Sequence, residues 1–247
     1  MTGRDAVALI TGGGSGIGRG AALELAHHFS RIVVADLAPD SAEAVAETIR
    51  GAGGAALALP VDVREETEVE AMVDLALDAF GQIDVLVHSA GLLGSRRPVL
   101  DMSHQEWRTL LDINLTGTFF VSRAVGRHMV QRRVGTMILL ASDRGVYGAR
   151  EKAHYAASKG AVIAYMKSLA LELGQYGVTC NAINPGTTQT PGLEAEVPLE
   201  FRNARAASDP LGRISTPEDI AKIVRFLAES GGSFITGQLF SARMRVA

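Results

Sequence analysis

Short apolar runs alternate with longer segments of mixed polarity along the whole 247-residue chain. The runs are AVALI, IVVAD, AALALPVD, IDVLVHSAG, TMILLAS and VTCNAINPG, and they are rich in Val, Ile and Leu. Unbroken apolar runs are typical of parallel strands that helices cover on both faces, because neither face then meets water. The runs therefore predict a mostly parallel β-sheet.

The segments between the runs have helical periodicity. SAEAVAETIRGAG and ETEVEAMVDLALDAFG repeat apolar residues three and four positions apart, and both end at a glycine that tolerates a left-handed cap. TPEDIAKIVRFLAESGG also ends in glycine, and it opens with Thr216 as N-cap, Pro217 in the first turn and Asp219 in a capping box. The spacing predicts three helices with readable boundaries.

This order of strands and helices predicts the α/β class, with right-handed crossovers. We expect a single doubly wound Rossmann-type domain over residues 1–247, with about seven mostly parallel strands and helices on both faces. Its cofactor half would cover about 1–150, and its catalytic and substrate half about 151–247. The stretch 187–213 mixes three prolines with charges and is too long for a simple connector, so we expect it to be lid-like.

Composition excludes several classes of function. The formal net charge is −3 and the basic residues are dispersed, which disfavours a nucleic-acid partner. The single cysteine rules out an internal disulfide framework, and the six histidines show no metal-ligand spacing, so we expect no metal. We find no leader peptide or twenty-residue apolar run, so we expect a cytoplasmic protein without a membrane partner.

The stretch TGGGSGIG, residues 11–18, connects the first apolar run to a helical segment. Gly12, Gly16 and Gly18 let the backbone approach a bulky anion closely. A helix beginning near Ile17 would point its free N–H groups and positive dipole end at the same anion. The stretch predicts a diphosphate site, although glycine-rich turns of this kind also occur where only packing requires them.

Asp36 ends the next apolar run, about twenty residues beyond the glycines. A carboxylate at this position accepts hydrogen bonds from both hydroxyls of an adenosine ribose, and it repels a 2′-phosphate. Gly14, Ser15 and Leu37 provide no cation to offset that repulsion. We therefore predict NAD(H) as cofactor, with NADP(H) less favoured.

The T-G-x-x-x-G-x-G spacing resembles the short-chain dehydrogenase/reductase family, and further family landmarks follow in order. They are Asp62-Val63, HSAG at 88–91 where the family has N-N-A-G, Asn114 in LDINLTGTFF, Ser142, YAASK with Tyr155 and Lys159, and NPGTTQT at 184–190. The cofactor-binding residues that this resemblance and the glycine turn imply are Gly12, Gly14, Ser15, Gly16, Ile17, Gly18, Asp36, Asp62, Val63, Ser89, Ala90, Gly91, Tyr155, Lys159, Pro185, Gly186 and Thr188.

Tyr155 and Lys159 lie four residues apart in a helical segment, so both project from one face. A buried phenol is a poor acid–base catalyst near neutral pH, and lowering its pKa from about 10 to about 7 requires about 4 kcal/mol. We expect the Lys159 ammonium, with the charge of an oxidised nicotinamide, to supply that stabilisation. A Tyr and Lys at this spacing are by themselves more often a packing pair, but the glycine turn favours the catalytic interpretation.

Ser142 follows a predicted strand and is expected at the carboxyl end of the sheet, where its hydroxyl can bind the substrate oxygen. Asn114 lies in the middle of a predicted helix, where Leu or Ala would be more stabilising. The resemblance implies that Asn114 holds a water leading to Lys159. It also implies that Lys159 binds the nicotinamide ribose and that the chain forms a homo-oligomer, a homotetramer or a dimer.

The sequence departs from the family pattern at three places. His88-Ser89 replace two asparagines, Asp143-Arg144 stand where small uncharged residues are common, and the C-terminal ITGQLFSARMRVA lacks the usual V-D-G-G. The second departure includes Arg144, one of four loop arginines that could attract an acidic substrate. The alternative that we favour is that these arginines are solvated surface charges. This set is Arg96, Arg97, Arg144 and Arg150.

These residues predict an NAD(H)-dependent oxidoreductase that interconverts a secondary alcohol and a ketone, its small-molecule substrate, by direct hydride transfer with Tyr155 as general acid/base. One alternative is an NADPH-dependent 3-oxoacyl thioester reductase, which usually carries an Arg where Ser15 stands. Another is a non-catalytic dinucleotide-binding sensor or scaffold. Substrate identity, stereochemistry and physiological direction stay open, because variable loops such as 92–103 shape the pocket.

Overall fold

A seven-stranded parallel sheet forms the centre of the protein. The computed structural model describes residues 5–229 and 232–242. The strands lie in the order β3-β2-β1-β4-β5-β6-β7, and each pairs parallel with its neighbours. The predicted doubly wound sheet is confirmed. The strands are β1 Val7–Thr11, β2 Arg31–Asp36, β3 Ala55–Pro60, β4 Val85–His88, β5 Gly135–Leu140, β6 Val178–Asn184 and β7 Leu239–Ser241.

Helices connect the strands and cover both faces of the sheet. They are α1 Gly16–Ala26, α2 Pro39–Gly51, α3 Glu66–Phe80, α4 His104–Leu111, α5 Gly117–Arg132, α6 Arg144–Tyr147, α7 Ala153–Leu173, α8 Pro191–Glu196, α9 Leu199–Ala207 and α10 Pro217–Ala228. Short 3₁₀ turns occur at Val99–Asp101 and Gly174–Tyr176, and a π-helical turn at Asp112–Thr116 joins α4 to α5. Within the described ranges, no helix is long and apolar enough to span a membrane.

The predicted helix ends are correct in part. Thr216 caps α10 in the expected capping box with Asp219, and Gly81 ends α3 in a left-handed conformation. Of the glycine ends predicted for the other two helices, the one of α2 is correct and the one of α10 is wrong. Gly53, the last residue of the segment predicted for α2, has a φ of +90°, whereas α10 is followed by an extended Glu229. The end of the atypical C-terminal segment, 243–247, lies outside the described residues.

Two apolar layers hold the sheet between the helices. Val7 and Leu9 of β1 face a layer shared with α3, α5 and α7, whereas Ala8 and Ile10 face a layer shared with α1, α2 and α10. All four side chains are fully buried, and burying a side chain the size of Leu or Ile stabilises the fold by about 1.5–3 kcal/mol. A slip of one residue in β1 would exchange the two layers, so the pattern fixes the strand register.

The order of the strands locates a crevice at the carboxyl edge of the sheet. The chain runs outward from β1 to β3 on one side and from β4 to β7 on the other, which makes β1 and β4 the switch point where ligands of such sheets bind. The stretch 187–213, called the lid below, follows β6 at this edge. It contains the short helices α8 and α9, and a bridge between Thr188 and Ser215 closes its base.

Candidate active site

A cavity of about 660 Å³ opens at the switch point, within the range of small-molecule sites. Its walls come from the segments that follow β1, β2, β3, β4 and β6, together with α7 and the lid. The predicted residues that line it are Gly12, Ser15, Gly16, Ile17, Asp36, Asp62, Val63, Ser89, Ala90, Gly91, Tyr155, Pro185, Gly186 and Thr188. Gly14, Gly18, Asn114, Ser142 and Lys159 are not among its lining residues.

The glycine turn fits the approach of a large anion. Gly12 has a φ of +64°, and a Cβ placed on it would lie 2.7 Å from the backbone nitrogen of Ala90. A Cβ on Gly18 would lie only 2.0 Å from the carbonyl oxygen of Gly12, so Gly18 allows α1 to pack against the turn. Helix α1 begins at Gly16, with its N-terminus at the cavity. The glycine turn and the N-terminus of α1 together fit a dinucleotide diphosphate, whose oxygens would accept hydrogen bonds from the free N–H groups of the helix.

Asp36 lies on the cavity wall at the end of β2. Its carboxylate accepts the Gly14 N–H at 2.9 Å and the Ala38 N–H at 3.0 Å. These bonds hold the side chain beside the glycine turn, where an adenosine ribose would bind. Gly14 therefore acts through Asp36 rather than by lining the cavity.

Arg64 is a cavity residue that the sequence did not predict. Its Nε donates to the Asp62 carboxylate at 2.9 Å, and this bond holds the pKa of Asp62 below its ordinary value. The Arg64 guanidinium is thus already paired with the Asp62 carboxylate, on the side of the cavity where adenosine would bind. The sequence DVR, in which Asp62 and Arg64 lie two residues apart, was the signal that could have predicted this pair.

His88 connects β4 to the glycine turn. Its Nδ1 lies 2.8 Å from the Thr11 hydroxyl, and the Ala90 N–H donates to the same hydroxyl at 3.5 Å. Burial, and to a smaller degree the Lys159 charge, lowers the pKa of His88 to about 3. The histidine that replaces an asparagine is therefore neutral and ties β1 to β4, directly beneath Ser89 and Gly91.

Asn114 is fully buried in the π-helical turn between α4 and α5. The prediction of an ordinary α-helix here is wrong. An inserted π turn re-aims a side chain and is frequent at functional sites. The Asn114 amide accepts the Leu92 N–H at 2.8 Å and donates to the Leu92 carbonyl at 2.9 Å and to the Ser158 hydroxyl at 3.1 Å. Asn114 thereby joins the loop after β4 to α7.

Tyr155 and Ser142 meet at the cavity edge. Tyr155 is buried in the first turn of α7, and Ser142 follows β5. Burial raises the pKa of Tyr155, whereas its hydrogen bond with Ser142 and the charge of Arg144 act in the opposite direction. A Cβ on Gly145 would lie 2.6 Å from the Gly160 backbone nitrogen, so this glycine lets the Ser142 loop press against α7.

Lys159 is buried one turn further along α7. Its Nζ donates to the Leu140 carbonyl at 2.7 Å, and burial lowers its pKa to about 8. The sequence predicts Lys159 as the resident cation that lowers the pKa of Tyr155. In the structure the Lys159 ammonium is held at the end of β5, and the groups that act to lower the pKa of Tyr155 are Ser142, through its hydrogen bond, and Arg144, through its charge.

The lid contacts the site through an ion pair between the buried Lys152 and the more exposed Glu196. Lys152 donates to the Leu93 carbonyl at 3.3 Å, to the Gly94 carbonyl, and to Glu196 of α8 at 2.8 Å. The Lys152 side chain is only 6% exposed. Neither Lys152 nor Glu196 was predicted from the sequence, since they are distant along the chain and match no motif.

Two of the four loop arginines pair with acidic side chains. Arg96 lies 2.9 Å from Glu151, and Arg97 lies 3.2 Å from Glu106. Arg96 and Arg97 are therefore surface charges, which is the alternative favoured from the sequence. Across 5–229 and 232–242, no group of three or more His, Cys, Asp or Glu side chains could hold a metal ion.

Comparison with known proteins agrees with this geometry. Residues 12–242 match the profile of a family described as enoyl-(acyl carrier protein) reductase. The chain is 40% identical to the short-chain reductase protein NovJ of Streptomyces niveus, over 95% of this chain and 91% of NovJ. It is 39% identical to a 3-oxoacyl-[acyl-carrier-protein] reductase of Synechocystis, over 95% of this chain and 94% of that protein.

A solved structure shares the fold over nearly its whole length. The crystal structure of levodione reductase superposes with a TM-score of 0.93 at 30% identity, covering 98% of this chain and 97% of that one. Members of this family use NAD(P) nicotinamide cofactors and act on small molecules. By its fold, its glycine turn and these likenesses, the chain belongs to the short-chain dehydrogenase/reductase family of oxidoreductases.

Proposed function

We propose that this oxidoreductase interconverts a secondary alcohol and a ketone, with NAD(H) as its cofactor. The observation that carries the proposal is the meeting of Tyr155 and Ser142, on one edge of a cavity whose opposite wall is the glycine turn. Asp36 on that wall supports NAD(H), because its carboxylate would repel a 2′-phosphate. Among the described residues, Arg64 is the one cation that lines the cavity, and it is paired with Asp62.

The residues have complementary roles in this proposal. The Ser142 hydroxyl donates to the substrate oxygen, and Tyr155 gives that oxygen a proton during reduction or removes it during oxidation. Lys159 binds the nicotinamide ribose, and Asn114 orders a water toward it. When bound, the nicotinamide supplies or accepts the hydride. Burial raises the pKa of Tyr155, and the Ser142 hydrogen bond and the charge of Arg144 counter part of that rise.

A screen of ketones and secondary alcohols tests the proposal, with each nicotinamide and with absorbance of the reduced cofactor as the readout. We expect turnover of at least one pair with NADH or NAD⁺. Tyr155→Phe should bind NADH as the wild type does and lose at least about 10²-fold in kcat, because the acid/base is gone. Wild-type rates for Tyr155→Phe would contradict its assigned role.

The 39% identical 3-oxoacyl reductase favours a second candidate, an NADPH-dependent reductase of 3-oxoacyl thioesters. Dissociation constants for NADH and NADPH separate the two, since equal or tighter binding of NADPH favours the second. Nucleotide binding without any turnover would favour a sensor or scaffold. We also infer a cytoplasmic homo-oligomer, a dimer or a tetramer, which light scattering after size exclusion would measure.

A further inference from the structure

Arg144 places a guanidinium directly beside the proposed acid. Its Cζ lies 5.9 Å from the centroid of the Tyr155 ring. The backbone N–H of Arg144 donates to the Ser142 hydroxyl oxygen at 3.2 Å, so the same short loop positions both side chains. The contact of Gly145 with the backbone of α7 fixes this loop against the catalytic helix. Arg144 is therefore as firmly placed as Ser142.

The Arg144 guanidinium forms no ion pair with any residue in 5–229 or 232–242. The other basic groups around the site are occupied: Lys152 binds Glu196, Arg96 binds Glu151 and Arg64 binds Asp62. Arg144 is half-buried, and a guanidinium that has no carboxylate partner keeps its donors available to an anionic ligand.

The acidic groups near Tyr155 do not pair with the Arg144 guanidinium. Asp143 and Glu196 both act on the phenol through their charges. Asp143 accepts a hydrogen bond from the Ser142 hydroxyl at 3.2 Å, and Glu196 is engaged by Lys152 at 2.8 Å. The free donors beside the Tyr155 ring are therefore those of Arg144, and a planar guanidinium matches a carboxylate with two parallel hydrogen bonds.

We propose that Arg144 is a specificity-determining residue that binds a carboxylate on the substrate, so that the preferred substrates are oxo acids and hydroxy acids. This inference rests on the proposed function and narrows its substrate class. The carboxylate binds on the Arg144 side of the Tyr155 ring while the reacting oxygen binds Ser142 and Tyr155. Neutral ketones of the same shape then lack the two charge-assisted hydrogen bonds.

Matched pairs of ketones test this role. Levulinate and 4-oxocyclohexanecarboxylate are each compared with their carboxamides, and kcat/KM is measured for wild type, Arg144→Gln, Arg144→Lys and Arg150→Gln. Arg150 is exposed and lies six residues further on the same segment, so its replacement removes one charge without touching Tyr155. We expect the wild type to prefer the carboxylates by at least about tenfold.

Arg144→Gln should abolish that preference, because kcat/KM falls further for the carboxylate than for the carboxamide of each pair, and Arg144→Lys should restore part of it. Arg150→Gln should keep the full preference. An unchanged preference in Arg144→Gln, or a wild-type preference for the carboxamides, overturns the inference. A shift of the pH profile that is equal for both members of a pair would assign Arg144 to the pKa of Tyr155 instead. Failure of the proposed function is distinct, because wild type would then reduce neither member of any pair.

Discussion

At the scale of single residues, Asp36 has a structural role beside the glycine turn and a proposed role in selecting NAD(H) over NADP(H). Its two carboxylate oxygens accept the N–H groups of Gly14 and Ala38, and the side chain still faces the cavity. The position at the end of the second strand was predictable, because an acidic residue there serves the ribose. The bond to Gly14 was not predictable, since it depends on how closely the glycine turn approaches β2.

Asp36→Ala should weaken NADH binding by about tenfold, because two ribose hydroxyls lose a charged acceptor. NADPH binding should stay the same or tighten, since the repulsion of a 2′-phosphate disappears. Fluorescence titration of both nucleotides measures the ratio. Asp40→Ala, an exposed acidic residue at the start of α2, serves as the control and should leave the ratio unchanged. Equal weakening of both nucleotides by Asp36→Ala would contradict the discriminating role.

At the scale of elements, the buried Lys152 ammonium joins Glu196 of the lid to the loop after β4, at the start of α7. Breaking one partner of a buried pair leaves the other charge uncompensated, which is more costly than losing an exposed pair. Arg202 and Glu194, in contrast, pair within the lid and do not attach it to the body.

Glu196→Gln should therefore raise amide hydrogen exchange in α8 and α9 at least about threefold, while the strands of the sheet keep wild-type rates. Exchange followed by mass spectrometry measures both regions in one experiment. Glu200→Gln removes an equivalent charge from exposed α9 and should change neither region. Equal exchange in the Glu196 and Glu200 variants would show that the pair does not hold the lid.

Some elements could be predicted from the sequence and others could not. The six apolar runs predicted β1 to β6, of which all but the edge strand β3 are largely buried, and the helical periods predicted α2, α3 and α10. The π turn around Asn114 escaped prediction, since LDINLTGTFF reads as continuous helix and the extra residue appears only when the Asn114 amide binds Leu92. Long-range pairs such as Lys152 with Glu196 have no local pattern.

At the scale of the whole molecule, His88 couples stability to pH. Its pKa is about 3 in the folded protein against 6.5 as the ordinary value, so the unfolded chain binds more protons between these limits. The contribution of His88 is complete above about pH 6.5 and decreases as the pH falls toward 3. The cause is that an imidazolium would be buried near Lys159.

His88→Asn should therefore lose less stability than wild type on acidification. Between about pH 7 and about pH 4.5, the free energy of unfolding of wild type should fall by about 2.5 kcal/mol more than that of the variant. Urea denaturation at the two pH values measures the difference, and the comparison cancels the carboxylates that both proteins share. Parallel losses in the two proteins would contradict a neutral, buried His88.

The close approach of Gly145 to Gly160 has a consequence for how such a protein acquires new substrates. No side chain separates the Ser142 loop from the helix that carries Tyr155, so the distance between the two hydroxyls is set by main chain against main chain. That distance is indifferent to what fills the neighbouring loops. Mutation can remodel the entrance, residue by residue, without disturbing the chemistry, provided that these two positions never gain a methyl group.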